Sequence, residues 1–317
     1  MTSTQSSAGD ETTGWPALRV DDWADTRDTL HMWTQIIGKV RMAAAPMINH
    51  WWQVPLYVSA RGLTTSAIPH GRRVFDIEFD FYDHQLLIRE GAGAQRVVTL
   101  EAKPVSRFYA ETITALDELG FDVPVMASPV EVERAIPFED DHEHVSYDRD
   151  AVRRFWGQLV QAHRVMTDFR SRFIGKVSPV HFFWGGLDLA VTRFCGRSAP
   201  AHPGGAPTVG DWVMVEGYSH ELSSCGFWPG GADEGAFYAY SYPEPDGFNE
   251  HPVGPDAAFY KTEAGQFLLP YEAVRTAADP DAALLEFLQT TYEAAADNAG
   301  WDRDALEDDP DRRASPR

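Results

Sequence analysis

The chain has 317 residues, 44% apolar and 12% aromatic, and a formal net charge of −21 at pH 7. That supply of apolar side chains suits one large domain or two intimately joined ones. The negative charge repels nucleic-acid phosphates and anionic lipid headgroups, so neither is an expected partner and a small molecule or a protein is.

Residues 1–14 are polar, with no basic region followed by an apolar stretch, so no signal peptide is expected and the segment reads as a disordered tail. No run approaches the roughly eighteen apolar residues of a membrane span. The two cysteines, Cys195 and Cys225, are too few for a disulfide framework. A cytoplasmic protein is the expectation.

A first helix is predicted over 22–42, where Leu30, Trp33, Ile37 and Val40 fall on one face and Pro46 follows as a stop. From 51 to 101 the period changes to two. It is clearest over 73–81, where Phe75, Ile77, Phe79 and Phe81 alternate with Asp76, Glu78 and Asp80, as in a half-buried antiparallel strand with a solvated acidic face. Strands over 86–88 and 96–100 flank a turn at Gly91-Ala92-Gly93. Pro104 opens a helix whose stripe is Val105, Phe108, Thr112, Leu116 and Leu119, with Gly120 placed to close it.

An acidic connector occupies 129–147. A third helix, capped at Asp148, carries Val152, Phe155, Trp156, Leu159, Val160, His163 and Met166 on one face. Strands are predicted over 180–184, 187–194, 212–221 and 236–242, and a last helix, begun by Asp279-Pro280, buries Leu284, Phe287, Leu288 and Tyr292. Residues 302–317 read as a disordered charged tail.

The fold class is therefore α+β, in two halves over 15–128 and 148–301, each a mostly antiparallel sheet flanked by helices. A repeated series supports two pseudo-equivalent halves. Trp33-x-Gln35-Ile36-Ile37 with Arg41, His50-Trp51-Trp52, Leu56, Pro69 and Tyr82-x-His84-x-Leu86 matches Trp156-x-Gln158-Leu159-Val160 with Arg164, His181-Phe182-Phe183, Leu187, Pro200 and Tyr218-x-His220-x-Leu222. The expected arrangement brings the His50 and His181 strands to a shared centre.

Candidate chemistry gathers around His181-Phe182-Phe183-Trp184-Gly185-Gly186, Tyr218-Ser219-His220-Glu221 and Gly226-Phe227-Trp228-Pro229-Gly230-Gly231. Glycines admit close backbone approach, and aromatic walls with a few polar groups are what small-molecule sites use. His181, His220 and Glu221 are the candidate catalytic residues; Trp184, Trp228, Tyr218 and Tyr240 are the candidate ligand-binding ones. The bland alternative makes the histidines hydrogen-bonded core residues and the tryptophans filler. If a divalent transition metal is bound, His50, His84, His181 and His220 are the expected ligands, although no His-Glu-x-x-His or Cys-x-x-Cys spacing is present. Ser219-His220-Glu221 is no triad, because neighbours on a strand face opposite ways. Tyr238, Tyr240 and Tyr242 share one strand face, where their hydroxyls can line a pocket.

The motifs Trp15-Pro16-x-Leu18, His50-Trp51-Trp52-Gln53-Val54-Pro55-Leu56-Tyr57-Val58, Phe75-Asp76-x-Glu78-Phe79-Asp80-Phe81, His181-Phe182-Phe183-Trp184-Gly185 and Gly226-Phe227-Trp228-Pro229-Gly230 resemble those of an uncharacterised bacterial family classed as a domain of unknown function. The likeness implies one natural unit between the two tails. It implies no activity, so three classes stay open: a small-molecule-binding protein or enzyme with a neutral or cationic ligand, a His-ligated metalloprotein, and a non-catalytic interaction protein with a basic partner.

Overall fold

A computed structural model describes residues 14–231 and 233–308. The N-terminal tail lies almost wholly outside them.

Helix α1 (Ala24–Ala44) buries Leu30, Trp33, Ile37 and Val40, as its period requires. A 3₁₀ turn at Asn49–Trp51 then leads into an antiparallel sheet of β1 (Tyr57–Val58), β2 (Gly62–Thr64), β3 (Ile68–His70), β4 (Arg73–Asp80), β5 (Gln85–Glu90) and β6 (Gln95–Thr99). Its order is β1-β2-β4-β5-β6, with β3 also paired to β4. Helix α2 (Val105–Glu118) closes this half, and Trp33 stacks on Phe108 at 4.5 Å between the two helices.

Helix α3 (Arg149–Ser171) begins at Asp148, whose carboxylate accepts from the backbone N–H groups of Asp150 and Ala151. There follow β7 (His181–Phe183), β8 (Asp188–Ser198), α4 (Asp211–Gly217), β9 (His220–Trp228), β10 (Ala236–Tyr242), β11 (Phe259–Lys261) and β12 (Gln266–Pro270), in the sheet order β11-β12-β10-β9-β8-β7. Helices α5 (Tyr271–Arg275), α6 (Pro280–Asn298) and α7 (Arg303–Leu306) complete the described chain. Helices α3 and α6 cover one face of the second sheet, where Leu189, Val191, Cys225, Phe227, Phe237 and Ala239 are buried. The opposite face carries Tyr238, Tyr240 and Tyr242.

The two sheets meet at a single antiparallel bridge. Leu56 N–H donates to Phe182 O at 2.9 Å and Phe182 N–H donates to Leu56 O at 2.7 Å. Beside it the Trp184 indole lies on Gly38 of α1 and donates to Val54 O at 2.9 Å, tying the second half to the first.

Several expectations change. The strand expected over 212–221 is α4 for most of its length: Trp212-Val213-Met214-Val215 is a continuous apolar run without alternation, and Asp211 favours a helix start. Residues 302–308 of the expected tail are ordered. The Asp302 carboxylate caps α7, and Arg303 pairs with Glu293, Asp297 and Glu307. The acidic face of β4 is ion-paired rather than simply solvated, with Asp76 and Glu78 on Arg89 and the buried Asp80 on Arg61.

The repeated series holds on the helices, where Gln35 and Gln158 are both buried, and fails beyond them. His50 lies in the turn before β1 whereas His181 opens β7. Tyr82 and His84 lie in the β4–β5 turn whereas Tyr218 closes α4 and His220 opens β9. The correspondence is thus lost before α4, and the insertion carrying α4 adds to the difference.

A Cβ at position 38 would sit 2.0 Å from the Trp184 Nε1 atom. Gly38→Ala is expected to cost about 1–3 kcal/mol by overpacking, although alanine is the better helix former by ~1 kcal/mol. Chemical denaturation of the two proteins checks this, and equal or greater stability of the variant would refute the packing account.

Candidate functional site

The face of the second sheet opposite α3 and α6 collects a set of polar groups by strand alternation. Tyr238 and Tyr240 stand on it with ring centroids 6.1 Å apart, nearly parallel. Opposite Tyr238 on β9 is Gly226, where a Cβ would lie 2.4 Å from the tyrosine hydroxyl. Glycine there lets the ring lie across β9, and its hydroxyl donates to Oδ2 of Asp188 at the start of β8. Tyr240 and Tyr218 hydroxyls are 3.0 Å apart, and the His202 ring lies 4.6 Å from Tyr218.

A second carboxylate, Glu131, comes from the connector between the halves. Gln35 of α1 clamps that connector by bonding both backbone groups of Val130 at 2.8 Å. Glu131 itself is held at φ 57°, and its N–H donates to Pro207 O at 3.0 Å. Its carboxylate rests against the β7–β8 turn: a Cβ on Gly185 would be 2.1 Å from Glu131 Oε1, and one on Gly186 would be 2.8 Å from Asp188 Oδ1 and 3.7 Å from Glu131 Oε2. The two carboxylates therefore share one turn. His31 of α1 supports it by donating from Nε2 to Gly185 O at 2.8 Å.

Burial raises Glu131 to about 7, with the Asp188 charge adding to the effect. Burial likewise raises Asp188 to about 6, against the Tyr238 hydrogen bond, which favours its charged form. Neither carboxylate has a cation among its charge partners in the described residues. By surface area Glu131 is exposed, although the protein packed around its carboxylate desolvates it in part. Tyr218 and Tyr238 are pushed well above 10, chiefly by burial, so their hydroxyls stay protonated as donors. At neutral pH a partly protonated acid, a second carboxylate and tyrosine hydroxyls stand together here, donors and acceptors of the kind small-molecule sites use.

Of the residues expected from sequence, Tyr218 and Tyr240 meet beside this carboxylate pair, on the tyrosine face. The others are dispersed. His181 is fully buried beside Tyr57 and Phe183, with both ring nitrogens unpaired and burial lowering it to about 3. His220 is on the tyrosine face but stands beside His50, at 5.6 Å between centroids. Glu221 points to the other face, where Arg197 neutralises it at 2.6 Å in a small pocket of about 210 Å³ bounded by Tyr242 and Trp301. Trp184 is buried structurally, and Trp228 lies over its own Gly230-Gly231 turn, 45% exposed. His84 meets the Tyr147 hydroxyl at 3.0 Å. The four histidines do not converge, and among the described residues no group of three or more His, Cys, Asp or Glu is placed to hold a metal ion. None of the four is thus identified as a ligand. Cys195 and Cys225 are unpaired, and burial pushes the Cys225 thiol up to about 12.

Glu131, Asp188 and His31 escaped sequence reasoning. Gly185-Gly186 was the available signal: it admits side chains of its own chain, not only a ligand.

The chain belongs to a family of unknown function, DUF5996, whose model matches residues 15–308. No curated protein matches it, and no solved structure does. No helix among the described residues is long and apolar enough to cross a membrane.

The raised carboxylates give a stability signature. A carboxyl group whose folded pKa lies above its unfolded value binds more protons when folded, so stability falls as pH rises from about 4.5 through about 7 at Glu131. Glu131→Gln should therefore match the parent at pH 4.5 and exceed it by roughly 1 kcal/mol at pH 7.5, a value reduced for the solvent screening of an accessible group. Denaturation at the two pH values measures this, and a pH-independent difference would refute it.

Proposed function

We propose that this is a small-molecule-binding protein or enzyme whose ligand, neutral or cationic, occupies the tyrosine face of the second sheet. The observation that carries the reading is the Glu131–Asp188 pair, desolvated, unneutralised and met by the Tyr238 hydroxyl. Holding two carboxylates against one turn with no cation beside them is costly, and structural ion pairs elsewhere in the chain avoid it by recruiting arginine. A ligand carrying an amine or several hydroxyls relieves the cost by supplying the missing donors. Should the ligand react, Glu131 is the group poised near neutrality for proton transfer and Asp188 its partner. The net charge of −21 favours approach of a cation over an anion. Unpaired thiols support a cytoplasmic setting for this activity.

A second reading, a non-catalytic interaction protein, is favoured by one specific feature. Met47, Ile48, Trp212 and Val215 are exposed around the Trp51–Trp212 edge contact.

The test is a thermal-shift screen of alkyl and aryl amines with their matching alcohols, followed by calorimetry on each hit. Asp188→Asn and Tyr240→Phe are expected to weaken a hit at least about tenfold, ~1.4 kcal/mol, while Glu221→Gln leaves it unchanged. Hits that bind equally to all three variants would place the ligand elsewhere and sink the proposal.

A further inference from the structure

Lys176 lies outside the tyrosine cleft, between α3 and β7, and differs from the other three lysines of the chain. Lys103 is buried and ion-paired to Glu111 at 2.6 Å, Lys39 is buried beneath the Trp184 ring, and Lys261 is exposed. Lys176 is half-buried and donates instead to a neutral partner, Nε2 of His50, at 2.7 Å. The His50 ring is oriented by its other nitrogen, which donates from Nδ1 to Gly217 O at 3.0 Å; this assignment leaves Nε2 as a lone pair facing Nζ. Trp52 and Phe194 flank Nζ at 5.4 and 5.0 Å. The charged and titratable neighbours are Glu216 of α4, which accepts from His50 N–H at 3.0 Å, and His220 of β9, 5.6 Å from the His50 ring.

This is the setting of a reactive amine rather than an ion pair. Aromatic walls and an imidazole hold the ammonium in place with no direct carboxylate partner among the described residues, Glu216 bonding the His50 N–H instead. Burial lowers Lys176 against the opposing Glu216 charge, and lowers His50 as well, so that His50 is a neutral base at physiological pH.

We propose that Lys176 is a nucleophilic amine that captures small aldehydes or ketones as imines, with His50 as the base that frees it. His50 Nε2 takes a proton from the ammonium. The Nζ lone pair then attacks the carbonyl carbon while the C=O π pair moves to oxygen, and transfer of an Nζ proton to that oxygen gives the carbinolamine. Finally the nitrogen lone pair expels the hydroxyl, which leaves as water with the proton held on His50. The net change is ammonium plus carbonyl to iminium plus water, with charge conserved and His50 regenerated. Trp52 and Phe194 would shelter the iminium by cation–π contact and favour a carbonyl compound with an apolar or aromatic group.

The chain supplies its own control in Lys261. Full-length protein is treated with benzaldehyde and cyanoborohydride between pH 6 and 9.5, and the reductively benzylated lysines are quantified by peptide mass spectrometry. Lys176 is expected to react several-fold faster than Lys261 at pH 7, with its rate rising at lower pH than that of Lys261. In His50→Asn, chosen because asparagine tolerates the φ of 58° at this position, the Lys176 rate should fall to that of Lys261 while the Lys261 rate stays fixed. Lys176 reacting no faster than Lys261 in the parent protein overturns the proposal, with or without a folded variant. An unchanged Lys176 rate in folded His50→Asn overturns the role given to His50.

Discussion

The junction around Trp184 is the constraint on which the rest of the structure depends. One indole fills the space left by the missing side chain of Gly38, bonds the carbonyl of Val54, and directly follows the strand that makes the Leu56–Phe182 bridge. Because Trp184 begins the β7–β8 turn, seating it on α1 also fixes where Gly185 and Gly186 lie. His31 and Gln35, on the same helix, then reach the turn and the connector respectively. Helix α1 of the first half thereby sets the geometry of a cleft built mainly on the second sheet, and neither half alone contains both of its carboxylates.

The cleft is held together at a cost. Asp188 and Glu131 are desolvated near each other, and Glu131 adopts a left-handed backbone conformation unusual for its residue type. Elsewhere the chain handles buried charge differently: Asp80 is answered by Arg61, Glu234 by Arg275, and the buried Arg193 is stacked on Phe169 and Tyr292. Against that background the Glu131–Asp188 pair is a charge arrangement left without an arginine partner among the described residues.

Much of the fold was legible in the sequence. Helical stripes such as Val105, Phe108, Thr112 and Leu116, the alternation along β4 and the caps at Asp148 and Asp279 are local signals, and local signals survive folding. The tyrosine face of β10 was legible for the same reason, and it is the part of the cleft that sequence reasoning reached. The carboxylates were not. Glu131 sits in an acidic connector where nothing in the sequence distinguishes it from Glu133 or Glu139; what selects it is the Gln35 clamp, made by a helix 95 residues earlier. The histidine pairing failed for a related reason: His50 and His181 match in sequence but stand in a turn and a strand, and their side chains meet different neighbours.

The single bridge between Leu56 and Phe182 has a further consequence. It brings together β1 and β7, which would otherwise be the exposed borders of two separate sheets. An unpaired border strand is a template for joining another chain, and a long antiparallel protein with many apolar strands is vulnerable there. With those two borders set against each other, β6, β11 and the three-residue β3 remain at the outside: β6 carries Arg96 and lies against α2, β3 lies against α1, and β11 is only three residues long and ends in Lys261. Contact between the halves thus covers two strand borders that separate halves would expose, a consequence of the junction that needs no ligand.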